Sequence, residues 1–352
     1  MSDSILQLAR PDILELQPYQ HAAWDPSLER MHANEMPWRA SGDNSMAGLN
    51  RYPEPQPHAL VERMAQLYGV PARQLLVGRG SDEAIDLLVR AFCRAGQDNV
   101  VITPPTFGFY KVAARIQGAG VLEVPLLGDA FALDARQVVA AGLQAKIVFL
   151  CSPNNPTGNL LDEAGMLRVC AELAGKALVV VDEAYVEFCG RASLTARLAE
   201  FPNLVILRTL SKAYALAGAR LGTVIASEDI IGLLRRIIPP YAIPASTVEA
   251  VLALTEAPQR ALSAARIRTL LDERRRMHER LERCANVVQV FPSAANFLLI
   301  QCRDARQFFA AGKSAGLIVR DFSACPGLAN CLRISIGTPE QNQRLLAAVE
   351  QP

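Results

Sequence analysis

The sequence lacks the patterns that mark metal enzymes and disulfide-stabilised proteins. Its four histidines lie far apart, at His21, His32, His58 and His278. None is paired at the spacing that metal ligands take on a helix. The eight cysteines include no Cys-x-x-Cys pair and no cluster with histidine, as expected for small core residues in a reducing compartment. We therefore expect no metal and a cytoplasmic location.

Excess charge of one sign and long apolar runs are also missing. The chain has 36 lysines and arginines against 35 aspartates and glutamates, so no basic field predicts a nucleic-acid partner. Every apolar run is interrupted before it reaches membrane-spanning length, and the amino terminus does not have the pattern of a secretory signal. We expect neither a membrane partner nor a nucleic-acid partner.

What the sequence does contain is an alternation of buried strands with helices. Each of the segments Lys146–Cys151, Ala177–Asp182 and Leu204–Leu207 contains a continuous apolar run of at least four residues, which is typical of strands buried on both faces. The pattern predicts an α/β fold with a mostly parallel sheet sandwiched by helices. At 352 residues we expect an amino-terminal arm (1–45) that reaches the small domain and the active site, a large domain (46–245) and a small α+β domain (246–352).

The segment Thr209-Leu-Ser-Lys-Ala-Tyr-Ala-Leu-Ala-Gly-Ala-Arg220 follows one of these strands. A lysine among apolar residues at a strand end has a lowered pKa and can attack an aldehyde. Lys212 is therefore the candidate nucleophile. Hydroxyl and guanidinium groups surround it, as a phosphorylated aldehyde cofactor would require; they belong to Thr209, Ser211 and Arg220.

Other strand ends carry side chains that suit pyridoxal phosphate. Asp182 closes a buried strand, where its carboxylate needs a cation such as a pyridinium N–H. Tyr185 and Asn155 can hydrogen-bond a phenolic oxygen, and Phe107 offers a ring that can stack on a pyridine. Ser81 and Asp82 follow a strand-to-glycine junction, where we expect one of them to cap a helix whose start binds an anion.

These motifs, taken in order along the chain, resemble the fold-type-I, aspartate-aminotransferase-type family of PLP-dependent enzymes. Within it the chain resembles the histidinol-phosphate aminotransferases, and the resemblance extends from Pro18-Tyr-Gln20 to Cys331–Ser335. It implies the PLP-dependent transferase fold, pyridoxal 5'-phosphate as cofactor, and transfer of an amino group from L-histidinol phosphate to 2-oxoglutarate, giving glutamate, in histidine biosynthesis. It also implies a homodimer with shared active sites.

The resemblance assigns roles to individual residues. Lys212 would bind the cofactor covalently, Asp182 would pair with its ring nitrogen, and Tyr185 and Asn155 would hold its phenolic oxygen. The phosphate would be held by Ser81, Asp82, Thr209, Ser211 and Arg220, joined by Tyr52 from the neighbouring subunit. Substrate anions would be bound by Arg333, with Tyr19 and Arg320 assisting the phosphate of histidinol phosphate.

Two positions depart from the family pattern, and two alternative activities stay open. Phe107 stands where relatives usually have tyrosine, and His32-Ala-Asn-Glu-Met-Pro37 replaces an Asn-Glu-Asn-Pro pattern. The chain could instead be an aromatic amino-acid aminotransferase or a phosphothreonine decarboxylase of the same fold. A regulatory module that binds the cofactor without turnover would usually carry a DNA-binding domain, for which the segment before Arg51 leaves no room.

Overall fold

A computed structural model describes residues 5–20, 25 and 27–350. His21, one of the four histidines, lies outside the described residues. Within them the chain forms two sheets, one of seven strands and one of four.

The larger sheet carries the first seven strands of the described chain. Its order is β1-β7-β6-β5-β4-β2-β3. Pairs among β2 to β6 are parallel, whereas β7 is antiparallel to both β1 and β6. The strands are β1 (Leu75–Gly78), β2 (Asn99–Ile102), β3 (Gly120–Glu123), β4 (Ile147–Cys151), β5 (Leu178–Asp182), β6 (Leu204–Thr209) and β7 (Gly222–Ile225).

Helices cover both faces of this sheet, because β4, β5 and β6 are buried along their whole length and need apolar partners on each side. Two core clusters lie on its opposite faces, one including Leu60 of α2 and the other Leu88 of α3. The α-helices of the whole described chain, including those that pack on the smaller sheet, are α1 (Pro11–Glu15), α2 (His58–Tyr68), α3 (Gly80–Phe92), α4 (Phe109–Gln117), α5 (Ala135–Gly142), α6 (Glu163–Glu172), α7 (Glu228–Leu234), α8 (Ala245–Leu254), α9 (Ala257–Leu281), α10 (Ala305–Ser314) and α11 (Pro339–Val349).

The smaller sheet is antiparallel, in the order β10-β11-β9-β8. A separate core forms where it packs against the end of α9, through Met277 and Leu281, and against α10 and α11. This separate core supports the domain division expected from the sequence, whose boundaries remain a proposal. The strands are β8 (Val287–Val290), β9 (Phe297–Cys302), β10 (Arg320–Asp321) and β11 (Cys331–Ser335).

Local signals explain the boundaries of helix α2. It runs from His58 to Tyr68 because Pro57 precedes it and Gly69 ends it at φ +67°. The segment Leu317-Ile-Val-Arg320 predicts a strand over these four residues, but this extent is wrong, because only Arg320 and Asp321 pair with β11. An apolar run alone does not show where ladder hydrogen bonds begin.

The start of the chain differs from the extended arm that we expected. Ile5, Leu8, Ala9 and Ile13 are buried against the core beside α3 and α7. Their spacing places them on one face of short helical turns, so their burial drives packing onto the large sheet. The described part of the segment before residue 16 therefore contacts the large sheet rather than the small one.

Two further observations concern expected absences. In the described part of the chain, no helix is both long and apolar enough to cross a bilayer. All eight cysteines carry free thiols, and Cys93, Cys151 and four others are buried.

Candidate active site

A cavity of about 700 Å³ opens at the carboxyl ends of β4, β5 and β6 and extends to β10 and β11. This is where ligands bind in open α/β sheets. Twelve of the fourteen residues predicted for the site line it: Ser81, Asp82, Phe107, Asn155, Asp182, Tyr185, Thr209, Ser211, Lys212, Arg220, Arg320 and Arg333.

Lys212 lies in the loop after β6, and water reaches its side chain through the cavity. Desolvation by the surrounding protein nevertheless lowers the pKa of its amino group, and the nearby charge of Arg333 lowers it further. Its Nζ is 5.6 Å from the centre of the Tyr185 ring. A lysine with a lowered pKa presents more of the neutral, nucleophilic amine at neutral pH.

Asp182 ends β5 with only 3% of its surface exposed. Its carboxylate accepts hydrogen bonds from the hydroxyl of Tyr110, at 2.8 Å, and from the backbone N–H of Ala184, at 3.1 Å. Burial raises the pKa of Asp182, and the Tyr110 hydrogen bond opposes that shift. A buried carboxylate in a cavity favours a cationic ligand.

On the opposite wall, helix α3 points its amino-terminal end at the cavity. Residue Arg79 occupies the N-cap position without a side-chain capping bond, so the expected capping by Ser81 or Asp82 is wrong. The helix begins at Gly80, which places both side chains in its first turn. The first turn of the helix lines the cavity, where its free amides can bind an anion.

Two glycines allow this helix start to lie against β7. A Cβ on Gly222 would come within 2.4 Å of the Gly80 carbonyl carbon and 2.5 Å of the Ser81 nitrogen. A Cβ on Gly80 would come within 2.7 Å of Arg220 Nη2. Main chain and guanidinium therefore meet at a distance that only glycine permits.

Arg220 has a left-handed backbone, with φ +52°, a conformation that costs energy in a residue with a side chain. Its guanidinium donates to Asp82 at 3.2 Å, and both side chains are about half exposed. The neighbouring Thr209 hydroxyl accepts from the Ser211 N–H at 3.1 Å. These contacts concentrate polar donors around the start of α3.

The small sheet contributes two arginines from adjacent strands. Arg320 and Arg333 are directly opposite partners in the β10–β11 pair, so their side chains share a face. Arg333 donates to the side-chain oxygen of Asn155 and lies 5.2 Å from the centres of the Phe297 and Phe322 rings. Two like charges directly opposite are unfavourable unless an anion lies between them.

Two predicted residues, Tyr19 and Tyr52, do not line this cavity. Tyr19 is 71% exposed and borders a larger cavity of about 910 Å³ that contains neither Lys212 nor Asp182. Tyr52 is 49% exposed, and its ring stacks on Tyr241 with centres 4.5 Å apart. The smaller cavity carries the chemistry because it alone of the two holds the lysine and the buried carboxylate.

Sequence reasoning missed three residues that shape the site. Tyr110 contacts Asp182 from the first turn of α4. Asn154 joins the loops after β2 and β4, since it donates to the Pro105 carbonyl and accepts from the Thr106 hydroxyl, each at 2.8 Å. Phe322 lines the cavity beside both arginines. Its position two residues after Arg320, on the same face of an extended segment, was the available signal.

Known proteins match this chain over most of its length. A family model described as aminotransferase class I and II matches residues 27–349. Among named proteins, the histidinol-phosphate aminotransferase of Stenotrophomonas maltophilia (strain R551-3) is 46% identical over 353 residues, covering 99% of this chain and 97% of that protein.

Solved structures agree with the fold. Histidinol-phosphate aminotransferase from Sinorhizobium meliloti, in complex with pyridoxal-5'-phosphate, has a TM-score of 0.76 at 26% identity, covering 86% of this chain and 82% of that chain. L-Threonine-O-3-phosphate decarboxylase from Porphyromonas gingivalis has a TM-score of 0.69 at 26% identity, covering 86% and 90%. The resemblance and fold type expected from the motifs are confirmed, and the chain belongs to the class I and II aminotransferase family.

Proposed function

We propose that this protein is a PLP-dependent enzyme that transfers the amino group of L-histidinol phosphate to 2-oxoglutarate, giving imidazole acetol phosphate and glutamate in histidine biosynthesis. The observation that carries the proposal is the cross-strand pair of Arg320 and Arg333 facing Lys212 across one cavity. The 46% identity to a named histidinol-phosphate aminotransferase over nearly the whole chain supports the same substrate.

The residues present fit pyridoxal phosphate. The uncapped start of α3, the glycine contact between residues 80 and 222, and Arg220 supply donors for a phosphate. Ser81, Thr209 and Ser211 add hydroxyl groups on the same wall. Asp182 is buried and, among the described residues, has no cationic partner within hydrogen-bonding distance, so its carboxylate can accept from a ring N–H.

When bound, pyridoxal phosphate carries the amino group and accepts electrons from the substrate's Cα–H bond. Lys212 is placed to take the proton from Cα and return it, because its lowered pKa keeps a neutral amine available. Asp182 would keep the ring nitrogen protonated by pairing with its N–H. Tyr185 and Asn155 line the same cavity and would hold the phenolic oxygen, and Phe107, which also lines it, would stack on the ring.

The two arginines can bind the anionic groups of both substrates. Arg333 is partly buried and anchored by Asn155, so it is positioned to bind an anion in each half-reaction. Arg320 is exposed at the cavity edge and adds the donors that a phosphate needs beyond those for a carboxylate. Phe322 lies next to both guanidinium groups and limits the water that competes for them.

Replacing Arg320 should therefore reduce activity selectively. We expect Arg320→Ala to lower kcat/KM for histidinol phosphate by roughly 30-fold, corresponding to about 2 kcal/mol for one lost contact to a charged group. Activity with phenylalanine should change little. The measurement is a coupled assay of parent and variant with histidinol phosphate, phenylalanine and phosphothreonine.

Arg333→Ala provides the matched comparison, because it should impair both half-reactions with every anionic substrate. Equal losses for the phosphate and the aromatic substrate in Arg320→Ala would favour the aromatic aminotransferase instead. The likeness to the Porphyromonas gingivalis decarboxylase keeps a second candidate: release of CO2 from phosphothreonine by the parent enzyme would favour phosphothreonine decarboxylation.

The protein is further proposed to act as a cytoplasmic homodimer in which Tyr52 reaches the cofactor phosphate of the partner subunit. Its backbone is fixed from both sides: Glu35 accepts from its N–H at 2.6 Å, and Arg30 donates to its carbonyl at 3.1 Å. Stacking on Tyr241 fixes its ring. An exposed side chain held this firmly suits contact with a second molecule. The free thiols suit a reducing compartment.

Mixed dimers should test this arrangement. Lys212→Ala and Tyr52→Phe chains, co-expressed with different tags, should form a heterodimer in which one site combines Lys212 with Tyr52. We expect that heterodimer to retain PLP more firmly at its lysine-containing site than the Tyr52→Phe homodimer does, by roughly fivefold in affinity for about 1 kcal/mol. Equal retention in the two dimers would contradict a contribution from the partner.

A further inference from the structure

Tyr110 is the largest fully buried side chain of the protein's described residues, and it faces the cofactor site from behind. Its ring stacks on Phe149 of β4, with centres 4.7 Å apart and planes 5° from parallel. It also meets the Phe107 ring edge-on, at 5.4 Å and 87°. These two contacts fix the ring, and therefore the direction in which its hydroxyl points.

That hydroxyl donates to Oδ2 of Asp182 at 2.8 Å. The other carboxylate oxygen, Oδ1, accepts from the Ala184 N–H at 3.1 Å. Each oxygen of a carboxylate has two acceptor positions, so both oxygens keep capacity for a further donor. The two internal donors hold the carboxylate plane in place without consuming its ability to bind a cation.

We propose that Tyr110 is a positioning residue of the active site, whose buried hydroxyl keeps Asp182 ionised and oriented for the nitrogen of the cofactor ring. The inference rests on the proposed function, because it takes Asp182 as the partner of that nitrogen. Tyr110 itself lies behind the carboxylate and is separate from the residues that line the cavity.

The hydrogen bond from Tyr110 shifts the pKa of Asp182 in a definite direction. Burial raises the pKa of Asp182, and the hydrogen bond from Tyr110 is the largest opposing influence. Burial and the charge of Asp182 hold the pKa of Tyr110 well above its ordinary value, so its hydroxyl stays protonated and always donates. Four other ionisable groups interact electrostatically with Asp182, and they lie on α3, on β4 and in the loops after β5 and β6. They are Asp82, Cys151, Tyr185 and Lys212.

Loss of the hydroxyl should therefore make Asp182 easier to protonate. Below its pKa the carboxyl is neutral and no longer attracts a protonated ring, so cofactor affinity falls as the pH falls. Without the Tyr110 hydrogen bond that pKa is higher, and the loss of affinity begins at a higher pH. For one hydrogen bond to a charged group we expect a displacement of about one pH unit, or about tenfold weaker binding at the acidic end.

The experiment measures the dissociation constant of pyridoxal phosphate from reconstituted apoprotein between pH 5 and pH 9, by quenching of intrinsic fluorescence. Tyr110→Phe keeps both ring contacts and removes only the oxygen. Tyr68→Phe is the matched control, since Tyr68 is also buried but lies beside Arg208, outside the cavity. We expect the midpoint to move to higher pH in Tyr110→Phe and to stay at the parent value in Tyr68→Phe.

A double-mutant cycle distinguishes the proposed role of Tyr110 from the assignment of Asp182 as the partner of the ring nitrogen. In an Asp182→Asn background the side chain cannot ionise, so Tyr110→Phe should add little to the change in affinity. If Tyr110→Phe keeps the parental pH midpoint while Asp182→Asn binds the cofactor more weakly, the proposed role of Tyr110 is overturned and the assignment of Asp182 stands. Parental binding in Asp182→Asn would instead overturn the assignment of Asp182.

A purely structural role for Tyr110 predicts a different pattern. Tyr110→Phe would then lower the melting temperature of apoprotein and holoenzyme alike and leave the pH midpoint unchanged, which would also overturn the inference. If the phenylalanine variant fails to fold, Tyr110→Met, which also lacks the hydroxyl and is apolar, takes its place in the same titration.

Discussion

Lys212→Ala should lose nearly all transamination, by at least about a thousandfold, because one side chain supplies both the nucleophile and the base. The variant should still bind pyridoxal phosphate, since the start of α3, Arg220 and Asp182 are untouched. Its spectrum should lack the visible absorbance of the lysine-bound cofactor. The measurements are steady-state turnover with histidinol phosphate and an absorbance spectrum of the reconstituted protein.

Lys176→Ala is the matched control for this loss. Lys176 is exposed in the turn that follows α6, where its amino group donates to the Glu172 carbonyl at 3.2 Å. That variant should keep parental turnover and spectrum. Transamination near the parental rate in Lys212→Ala would refute the assignment of the catalytic lysine.

The second large effect is expected at Asp182. Asp182→Ala should slow turnover by at least about a hundredfold, because a preorganised charge aimed at the reacting group is lost. The variant also leaves the Tyr110 hydroxyl and the Ala184 N–H without their buried acceptor, so cofactor binding should weaken as the pocket reorganises. Single-turnover kinetics and equilibrium dialysis of the cofactor measure the two effects separately.

A second buried aspartate controls for the cost of removing a carboxylate. Asp98 is 9% exposed and accepts from the backbone and side chain of Arg94. Asp98→Ala should lower the melting temperature without changing cofactor affinity. If Asp182→Ala behaves in the same way, with unaltered kinetics, then Asp182 serves only the fold.

Continuous apolar runs were enough to predict the central strands of the large sheet. β4 and β5 lie where the runs ending at Cys151 and Asp182 placed them, because strands buried on both faces tolerate few polar residues. The direction of β7 could not be read in this way. Its residues Gly222–Ile225 are buried along their whole length, as those of β4 and β5 are. The connection over residues 210–221 contains only the short 3-10 turn Ala217–Ala219 and no crossover helix, which is compatible with an antiparallel return.

The candidate site was predictable wherever a residue follows a strand of the large sheet. Asp182, Asn155 and Lys212 meet in one cavity because parallel strands end at the same edge. Tyr110 was missed because its role depends on how α4 packs on β4, a tertiary contact that no local pattern encodes. Tyr52 stacks on Tyr241 and does not line the cavity of its own subunit. A residue that is proposed to contribute to the partner's active site does not need to lie near the active site of its own subunit.

The contact between Gly222 and the Gly80–Ser81 backbone has a consequence for redesigning this enzyme. A side chain introduced at position 80 or 222 would meet guanidinium or main-chain atoms within 3 Å, and at position 80 it would also have to adopt φ +82°, so substitutions at these two positions should destabilise the fold. The opposite wall, formed by Arg320, Phe322 and Cys325, faces the cavity with side chains. New substrate preferences are therefore more accessible from the small sheet, while the wall at α3 serves as an invariant scaffold.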